Sequence, residues 1–539
     1  MRAHTPYALA LLTALAVFHP ALLAPRYDDD FTQRAWLRGD LPSRRAPWDL
    51  YRWIAPDDFA ASRAAGHVPW WAPPAARTGV LRPLASLSVA LDHWLLGGGP
   101  LAAHLHSFAW LALLAWAAWR FYRAALGDDG AARVALLALV TSTPLAVDLG
   151  WLCNRCALMA CAFALLSLDR LAAWQRGGAR PHLLAALALW SLALASGEYA
   201  FAALPLAAVV AQGSHSAAWR RGAGPLALAA LSIAWYALAH ALGYGGAAPS
   251  AALDPAADPW AFATRAPARA THLVLAWLAS RVSWWVPLDA LAALGFAVAA
   301  VAAVSTLRSP RRDALAAWSL AFAGSCVVLS AALLQVRVLL PAMVPFAGGL
   351  GLLWAHARGA SKPARVVVGA ALAALVAQQA VASWRLSHEL LAAESARDRE
   401  LQASARRLAA TGASRFLVAT ARDPEVALNP ARVWAAPAPS SWITAGFVEG
   451  PVVVLRPTAR EVVVRSLAGA ALLPAPVRWG ARIGDVTVAP EGFVNGAATA
   501  VRVTFPGDPG ALGWRLVQAR GARLEPLPWP PVHAGRVTQ

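Results

Sequence analysis

Charge and cysteine are both scarce in this chain, and each scarcity removes a class of explanation. Only 14% of the 539 residues are charged while 58% are hydrophobic, with a mean hydropathy of +0.48, far from the balance that keeps an ordinary soluble domain in water. The four cysteines, Cys153, Cys156, Cys161 and Cys326, all lie in or beside apolar stretches, where cysteine behaves as a small hydrophobe. Cys153-x-x-Cys156 therefore reads as buried packing ahead of a redox or metal pair. Acidic residues are outnumbered, 29 against 47 basic ones, for a formal net charge of +18. A nucleic-acid partner would want that charge on one continuous face, yet the basic residues, almost all Arg, sit between apolar blocks. The positive-inside rule explains them, and no nucleic-acid role follows. There is no internal repeat and no long low-complexity tract beyond the Ala/Leu bias of the apolar blocks.

What is present is a series of apolar blocks near the roughly 20 residues a bilayer-crossing helix needs. They run at about 6–24, 101–119, 133–148, 153–168, 183–197, 199–213, 225–243, 288–306, 314–333, 339–356 and 366–384, which predicts an α-helical multi-pass membrane protein with about eleven transmembrane helices. The first block follows Arg2 but lacks a small residue at the position a signal peptidase would require, so it reads as a retained helix. Arg120, Arg123 and Arg133, then Arg176 and Arg180, Arg220 and Arg221, Arg308, Arg311 and Arg312, and Arg358, Lys362 and Arg365 all fall on one side if the N-terminus is cytoplasmic. That parity requires the block 271–286, which carries Arg281, Trp284 and Trp285, to lie in the outer interface without crossing.

Two large segments are then expected outside the cytoplasm. The loop 26–100 is rich in Trp, Pro and Asp and ends in a helical stripe, Leu84, Leu87, Leu91 and Leu95, suited to a second interfacial helix. The tail 386–539 opens with a polar helical stretch at about 388–410. Short β-prone runs follow at 415–420, 451–455, 461–464 and 500–505, separated by Gly and Pro. The expected division is a membrane domain over 1–385 and a small, mostly β extracytoplasmic domain over 386–539.

Unusual charges gather at the outer face of this arrangement. The first helix exits into Asp28-Asp29-Asp30-Phe31, where adjacent carboxylates need a cation, a proton or a buried partner. Arg155 and Arg337 break the positive-inside pattern at outer helix ends; Asp148 ends the preceding helix and Glu198 sits in a very short outer turn. Ion pairs between helix ends would account for any one of these. Taken together they suit a site in which Arg, whose planar fork matches phosphate, grips a lipid-linked phosphate while an Asp removes a proton from an acceptor.

The order of these features resembles the membrane glycosyltransferases of the GT-C fold, in particular the protein O-mannosyltransferase-like branch and its bacterial polyprenyl-phosphate-sugar-dependent relatives. An acidic pair and an aromatic after the first helix (Asp29-Asp30-Phe31) are followed by Arg82-Pro83-Leu84, Leu91-Asp92, Gly97 to Pro100 and His104. Next come Thr143-Pro144, Asp148, Trp151 and Arg155, then Gly197-Glu198 with Pro205, and Arg337-Val338-Leu339-Leu340-Pro341. Thr143 stands where the family has His, the Pro144–Arg155 interval is one residue short, Gly197 replaces Lys, and the tyrosines of the last element are missing. The resemblance covers roughly residues 1–385; the tail matches no named family.

The resemblance implies transfer of a sugar from a polyprenyl-phosphate carrier to a protein, lipid or glycan acceptor on the outer face of the membrane. Asp29 or Asp30 would act as general base, with Asp28 as substitute. Arg155 and Arg337 would bind the phosphate, Glu198 and Asp148 would orient the arginines or the sugar, and His104 or Trp151 would line the pocket. The acidic cluster leaves room for a divalent metal without requiring one. The Ala/Arg bias suggests a GC-rich genome and hence a bacterial inner membrane with a periplasmic tail. The rival readings are a transporter or flippase, which predicts mid-span charges and broken helices, a lipid-linked polymerase or ligase, and a non-catalytic membrane scaffold.

Overall fold

The computed structural model describes residues 5–27, 29–41, 43–64, 66–73, 76–212, 218–246, 253–278, 312–332, 334–421, 441–446, 452–467, 471–473, 477–520 and 523–532. Six helices are long and apolar enough to cross a membrane: Thr5–Leu23, Pro100–Leu126, Leu152–Gly177, Arg221–Ala241, Val336–Arg358 and Lys362–Ala409. Asp129–Val140 and Pro144–Gly150, bent by 55° at the turn between them, make a seventh if counted as one span. Many of their apolar side chains face outward, Leu12 (64% exposed), Ile233 (69%) and Val366 (61%) among them. A helix solvated by lipid does this freely and one solvated by water does not. The architecture is that of a multi-pass helical membrane protein with a C-terminal sheet region.

The count of eleven is not reached among the described residues. Blocks 199–213 and 314–333 form the shorter apolar helices Tyr199–Gln212 and Asp313–Leu329. Block 183–197 falls on the 17-residue helix Arg180–Ser196 and its C-cap Gly197, and 288–306 lies outside the described residues. The block expected as interfacial from Thr271 starts earlier, as Pro259–Leu278; its Arg281, Trp284 and Trp285 are outside the described residues. Trp277 near its end is buried in the bundle, its Nε1 donating to Gln379 Oε1 at 2.9 Å. Arg358 pairs with Asp128, so the turn after Pro100–Leu126 and the end of Val336–Arg358 share one end of the bundle, as their basic residues predicted.

The bend after Val140 has a local cause and a local remedy. Pro144 cannot donate an N–H and disfavours helix in the residue before it, and the freed polar groups lie where lipid offers them no partner. The helix Lys362–Ala409 supplies the partners: Gln379 Oε1 accepts from Thr143 Oγ1 at 2.7 Å, and Ser383 Oγ donates to the Thr141 carbonyl at 2.8 Å. Close packing depends on Gly351, where a Cβ would meet the Ala131 carbonyl oxygen at 2.6 Å, so the backbones of two spans approach over a missing side chain.

Lys362–Ala409 runs for 48 residues, about 70 Å at 1.5 Å per residue. It has neither Pro nor Gly between Gly369 and its end, and it crosses the expected domain boundary at 385/386 without interruption. Its last turns pack Leu401 and Leu408 against Phe416, Trp442 and Val517 of the tail. Three short strands in the first loop and after the Ala218–Ala241 helix, β1 (Arg52–Ile54), β2 (Thr78–Gly79) and β3 (Gly245–Gly246), form one small sheet. The tail holds β4 (Arg415–Val418), β5 (Ser441–Thr444), β6 (Val452–Thr458), β7 (Glu461–Ser466), β8 (Ala481–Ile483), β9 (Val486–Val494), β10 (Ala497–Thr504), β11 (Trp514–Arg520) and β12 (Arg523–Leu527). A mixed sheet β12-β11-β4-β5 and an antiparallel sheet β6-β7-β10-β9-β8 share a core that also takes in Trp70 and Trp71 of the first loop. Trp70 Nε1 donates to the Thr444 carbonyl at 3.1 Å. Loop and tail therefore lie on the same side of the membrane domain.

Candidate functional site

The site is built around one irregular turn. Pro144–Gly150 ends at Trp151, a single 3-10 turn spans Leu152–Asn154, and a new helix starts at Arg155. Against this turn rests the helix Asp29–Arg38, which follows the exit of the first span. Asp30 reaches back three residues to accept the Tyr27 N–H at 3.0 Å, half of a capping box, and its other oxygen accepts the Cys153 N–H at 2.8 Å. Burial pushes the Asp30 carboxyl up to about 7 against the pull of those N–H groups and of Arg26. A carboxyl in that range exchanges its proton near neutral pH, as a general base must. Asp29 lies beside it, with its Oδ2 3.9 Å from Cys153 Sγ; Asp28 lies outside the described residues.

On the far side of the turn stands Arg337, in the short turn Val336–Leu339. Its guanidinium carbon lies over the Trp151 ring, 4.7 Å from the centroid, and that ring packs edge-on to Tyr27 at 4.8 Å. Nη1 of Arg337 donates to Asn154 Oδ1 at 2.6 Å and contacts the Tyr199 hydroxyl at 3.4 Å, and Nε donates to Gln335. Nη2 has no hydrogen-bond partner among the described residues. Asp148 is fully buried and neither of its carboxylate oxygens is hydrogen-bonded among the described residues; the cation acting on it is Arg337. Trp151 Nε1 and Asn154 Nδ2 are also buried without partners. Buried polar atoms are nearly always satisfied, so this concentration around one guanidinium marks a place built to meet something else.

Glu198 completes the same face. Its carboxylate takes a two-pronged pair from Arg82, Nε to Oε2 at 2.8 Å and Nη2 to Oε1, while Arg82 Nη1 donates to Cys156 Sγ at 3.2 Å. Burial alone would raise the Glu198 carboxyl, but Arg82 outweighs it and holds the group below the usual carboxylate range. Arg82 is sandwiched near Tyr51 and Tyr199, at 4.7 and 5.7 Å from their centroids. All four cysteines are buried and free.

Arg155 and His104 are put to other uses than those expected. Arg155 is 1% exposed, and all three of its guanidinium nitrogens are engaged: Nε by Ser107, Nη1 by Ser88, Nη2 by the Ala103 carbonyl and by Asp92 at 2.6 Å. Trp110 Nε1 donates to His106 Nε2, which leaves the ring proton on Nδ1 for Asp92 at 2.6 Å. The result is a closed Asp92–Arg155–His106 pillar with no donor left for a phosphate. His104 is fully buried with Nδ1 2.9 Å from the Leu149 carbonyl and Nε2 3.1 Å from that of Ala24. It clips the exit of the first span to Pro144–Gly150 and lines no described cleft.

Two open clefts flank the turn. One, about 380 Å³, runs between Tyr27, Trp151 and the apolar side chains of Ala21, Val147, Leu390 and Leu391. The other, about 370 Å³, is lined by Asp30, Asp92, Arg26, Arg34, His93 and Leu152 among others. Among the described residues no group of three or more His, Cys, Asp or Glu is placed to hold a metal ion; the acidic triplet is only partly described.

Asp30, Asp148, Trp151, Glu198 and Arg337 thus meet around one turn, with Arg155 behind it. The roles of Arg82, Asn154, Tyr199 and Asp92 escaped the sequence. Arg82 and Asp92 stood in the quoted motifs without a role, and nothing in the spacing distinguishes Asn154 or Tyr199. No family model matches the chain, and no curated protein matches its sequence.

Proposed function

We propose that this chain transfers a sugar from a polyprenyl-phosphate carrier to an acceptor hydroxyl at the outer face of the inner membrane. The acceptor oxygen attacks the anomeric carbon, the bond from that carbon to the carrier phosphate breaks, and the electron pair leaves on the phosphate. The hydroxyl proton goes to Asp30. Arg337 meets the charge developing on the phosphate, Trp151 holds that guanidinium in place, and the Arg82–Glu198 pair flanks the sugar. Arg155 supports the turn from behind. The apolar cleft beside Trp151 suits the carrier's prenyl chain, and the resemblance to GT-C enzymes points the same way. The observation that carries the reading is the guanidinium of Arg337 held over Trp151 beside buried, unpartnered polar atoms, within one turn of a carboxyl tuned to about 7.

The test is incubation of the protein, reconstituted in lipid, with radiolabelled polyprenyl-phosphate sugars and membrane extract. Labelled lipid or protein should form with the native chain and not with Asp30→Asn or Arg337→Gln. Product formed equally by the native chain and both variants would defeat the proposal.

One observation favours a transporter or flippase instead: the span bent by 55° before Pro144, with buried Asp148 in its second half, is the broken-helix element such proteins use. Liposomes carrying the protein separate the two. Movement of a fluorescent lipid-linked sugar between leaflets without bond cleavage would replace the transferase reading.

A further inference from the structure

The cleft on the Asp30 side is more basic than its neighbourhood requires. Arg26, Arg34 and His93 line it, and Arg38 is close enough to act on both Arg26 and His93. Of its two carboxyls, Asp92 is already neutralised by Arg155 at 2.6 Å, and Asp30 titrates near neutrality. Arg38 has Asp40 at 3.0 Å and Arg26 donates to the Gly98 carbonyl. Arg34 has neither hydrogen bond nor ion pair among the described residues, and its Nε is buried without a partner. Burial and these like charges push the Arg26 guanidinium and the His93 imidazole down from their ordinary values. Asp30 and Asp92 pull the other way on Arg26, but both are already shared, Asp92 with Arg155 and Asp30 with two backbone N–H groups, so the crowded cations still repel one another, a cost that an incoming anion lowers.

Resting on the transferase reading, we infer that this cleft is the acceptor subsite and selects an acceptor carrying a phosphate group next to the hydroxyl that is glycosylated. Arg34 and Arg26 hold the phosphate, and the hydroxyl lies against Asp30. The carrier's own phosphate sits across the Trp151–Arg155 turn at Arg337, so the two anions occupy different sides of the base.

Binding can be measured apart from transfer. The purified full chain is titrated with glycerol 3-phosphate and, as the uncharged control, glycerol, read by phosphorus or proton NMR line broadening. A second arm uses a monomeric hexanoyl lysophosphatidic acid, which keeps a free hydroxyl beside its phosphate. Glycerol 3-phosphate should bind at least tenfold more tightly than glycerol, and Arg34→Gln should weaken it roughly tenfold, as loss of a charge-assisted contact does. Arg523→Gln, far away in the tail, should leave it unchanged. Tighter binding of the hexanoyl lysolipid identifies a lipid headgroup as the source of the phosphate; equal binding identifies a soluble phosphate. Equal binding of glycerol and glycerol 3-phosphate, or an Arg34→Gln chain that binds as the native one does, overturns the inference. Sugar transfer with no preference for phosphate-bearing acceptors would overturn this subsite and leave the transferase standing. Phosphate binding at Arg34 in a chain that transfers no sugar would overturn the transferase instead.

Discussion

Two arginines stand beside one turn, Arg155 at its end and Arg337 across from it on Val336–Leu339, both out of place by the positive-inside rule, and the protein treats them in opposite ways. Arg155 is saturated: three nitrogens, a carboxylate, two serines and a carbonyl, all buried. Arg337 is held by Asn154, Gln335 and the face of Trp151, yet keeps Nη2 without a hydrogen bond among the described residues beside a carboxylate and an indole N–H that are equally unsatisfied. The same residue type, equally surprising in the sequence, is structural where its donors are used up and available where they are not.

The sharpest way to break that contrast is to remove each arginine in turn. Arg155→Met takes the cation from buried Asp92 and leaves it His106 alone, which is expected to cost about 3–5 kcal/mol, read as a large fall in Tm in detergent. Arg155→Met combined with Asp92→Leu should recover most of the loss. A single variant as stable as the native chain would mean the pillar carries no weight. Arg337→Gln should keep its Tm and lose roughly 100- to 1000-fold in transfer rate, the loss expected when a donor to developing charge is removed. If it unfolds as Arg155→Met does, the two arginines are alike and the contrast fails.

Asp30 offers a test through pH. Its carboxyl is raised in the folded state, so the folded chain holds a proton that the unfolded chain has released. This contribution to stability is complete below the ordinary carboxylate pKa and is lost as pH rises through about 7. Unfolding measured from pH 4 to 8 should show stability falling by on the order of 3 kcal/mol, and Asp30→Asn should flatten that slope. A slope unchanged in the variant would assign it to other groups. The smallest effect is expected at the helix bend, where the polar groups are satisfied: Gln379→Leu leaves Thr143 and Trp277 without their acceptor and should cost about 1–3 kcal/mol. No change in Tm would show that the bend does not rely on Gln379.

The spans were legible because length and apolarity are properties of a block. Thr5–Leu23, Pro100–Leu126 and Leu152–Gly177 fall where the composition put them. The bend inside 133–148 was not, although Pro144 signals it, because a block average carries no direction. The stretch 362–409 was read as two helices since its polarity changes halfway, whereas the backbone follows the absence of Pro and Gly and continues. Four β-prone runs marked β4, β6, β7 and β10, but β5, β8, β9, β11 and β12 carry no comparable signal beyond their neighbours. The helix near the end of the first loop was legible in the stripe Leu84, Leu87, Leu91 and Leu95, which falls on Pro83–Trp94 and the residue after it. That Trp70 and Trp71 complete the core of the tail was not, since a pairing more than 370 residues apart leaves no local trace. At the site, charge in the wrong place pointed to Asp30, Asp148, Glu198 and Arg337. The same signal drew in Arg155, because only the three-dimensional arrangement reveals that Ser88, Ser107 and Asp92 already occupy it.

The most direct measurement is the pH dependence of sugar transfer by the native chain and by Asp30→Asn in the same lipid. The native rate should climb about tenfold per pH unit below 7 and level off above it, as a base with that pKa requires, while the variant stays near background throughout. A native rate indifferent to pH across that range, or an Asp30→Asn chain with the native profile, would contradict the account.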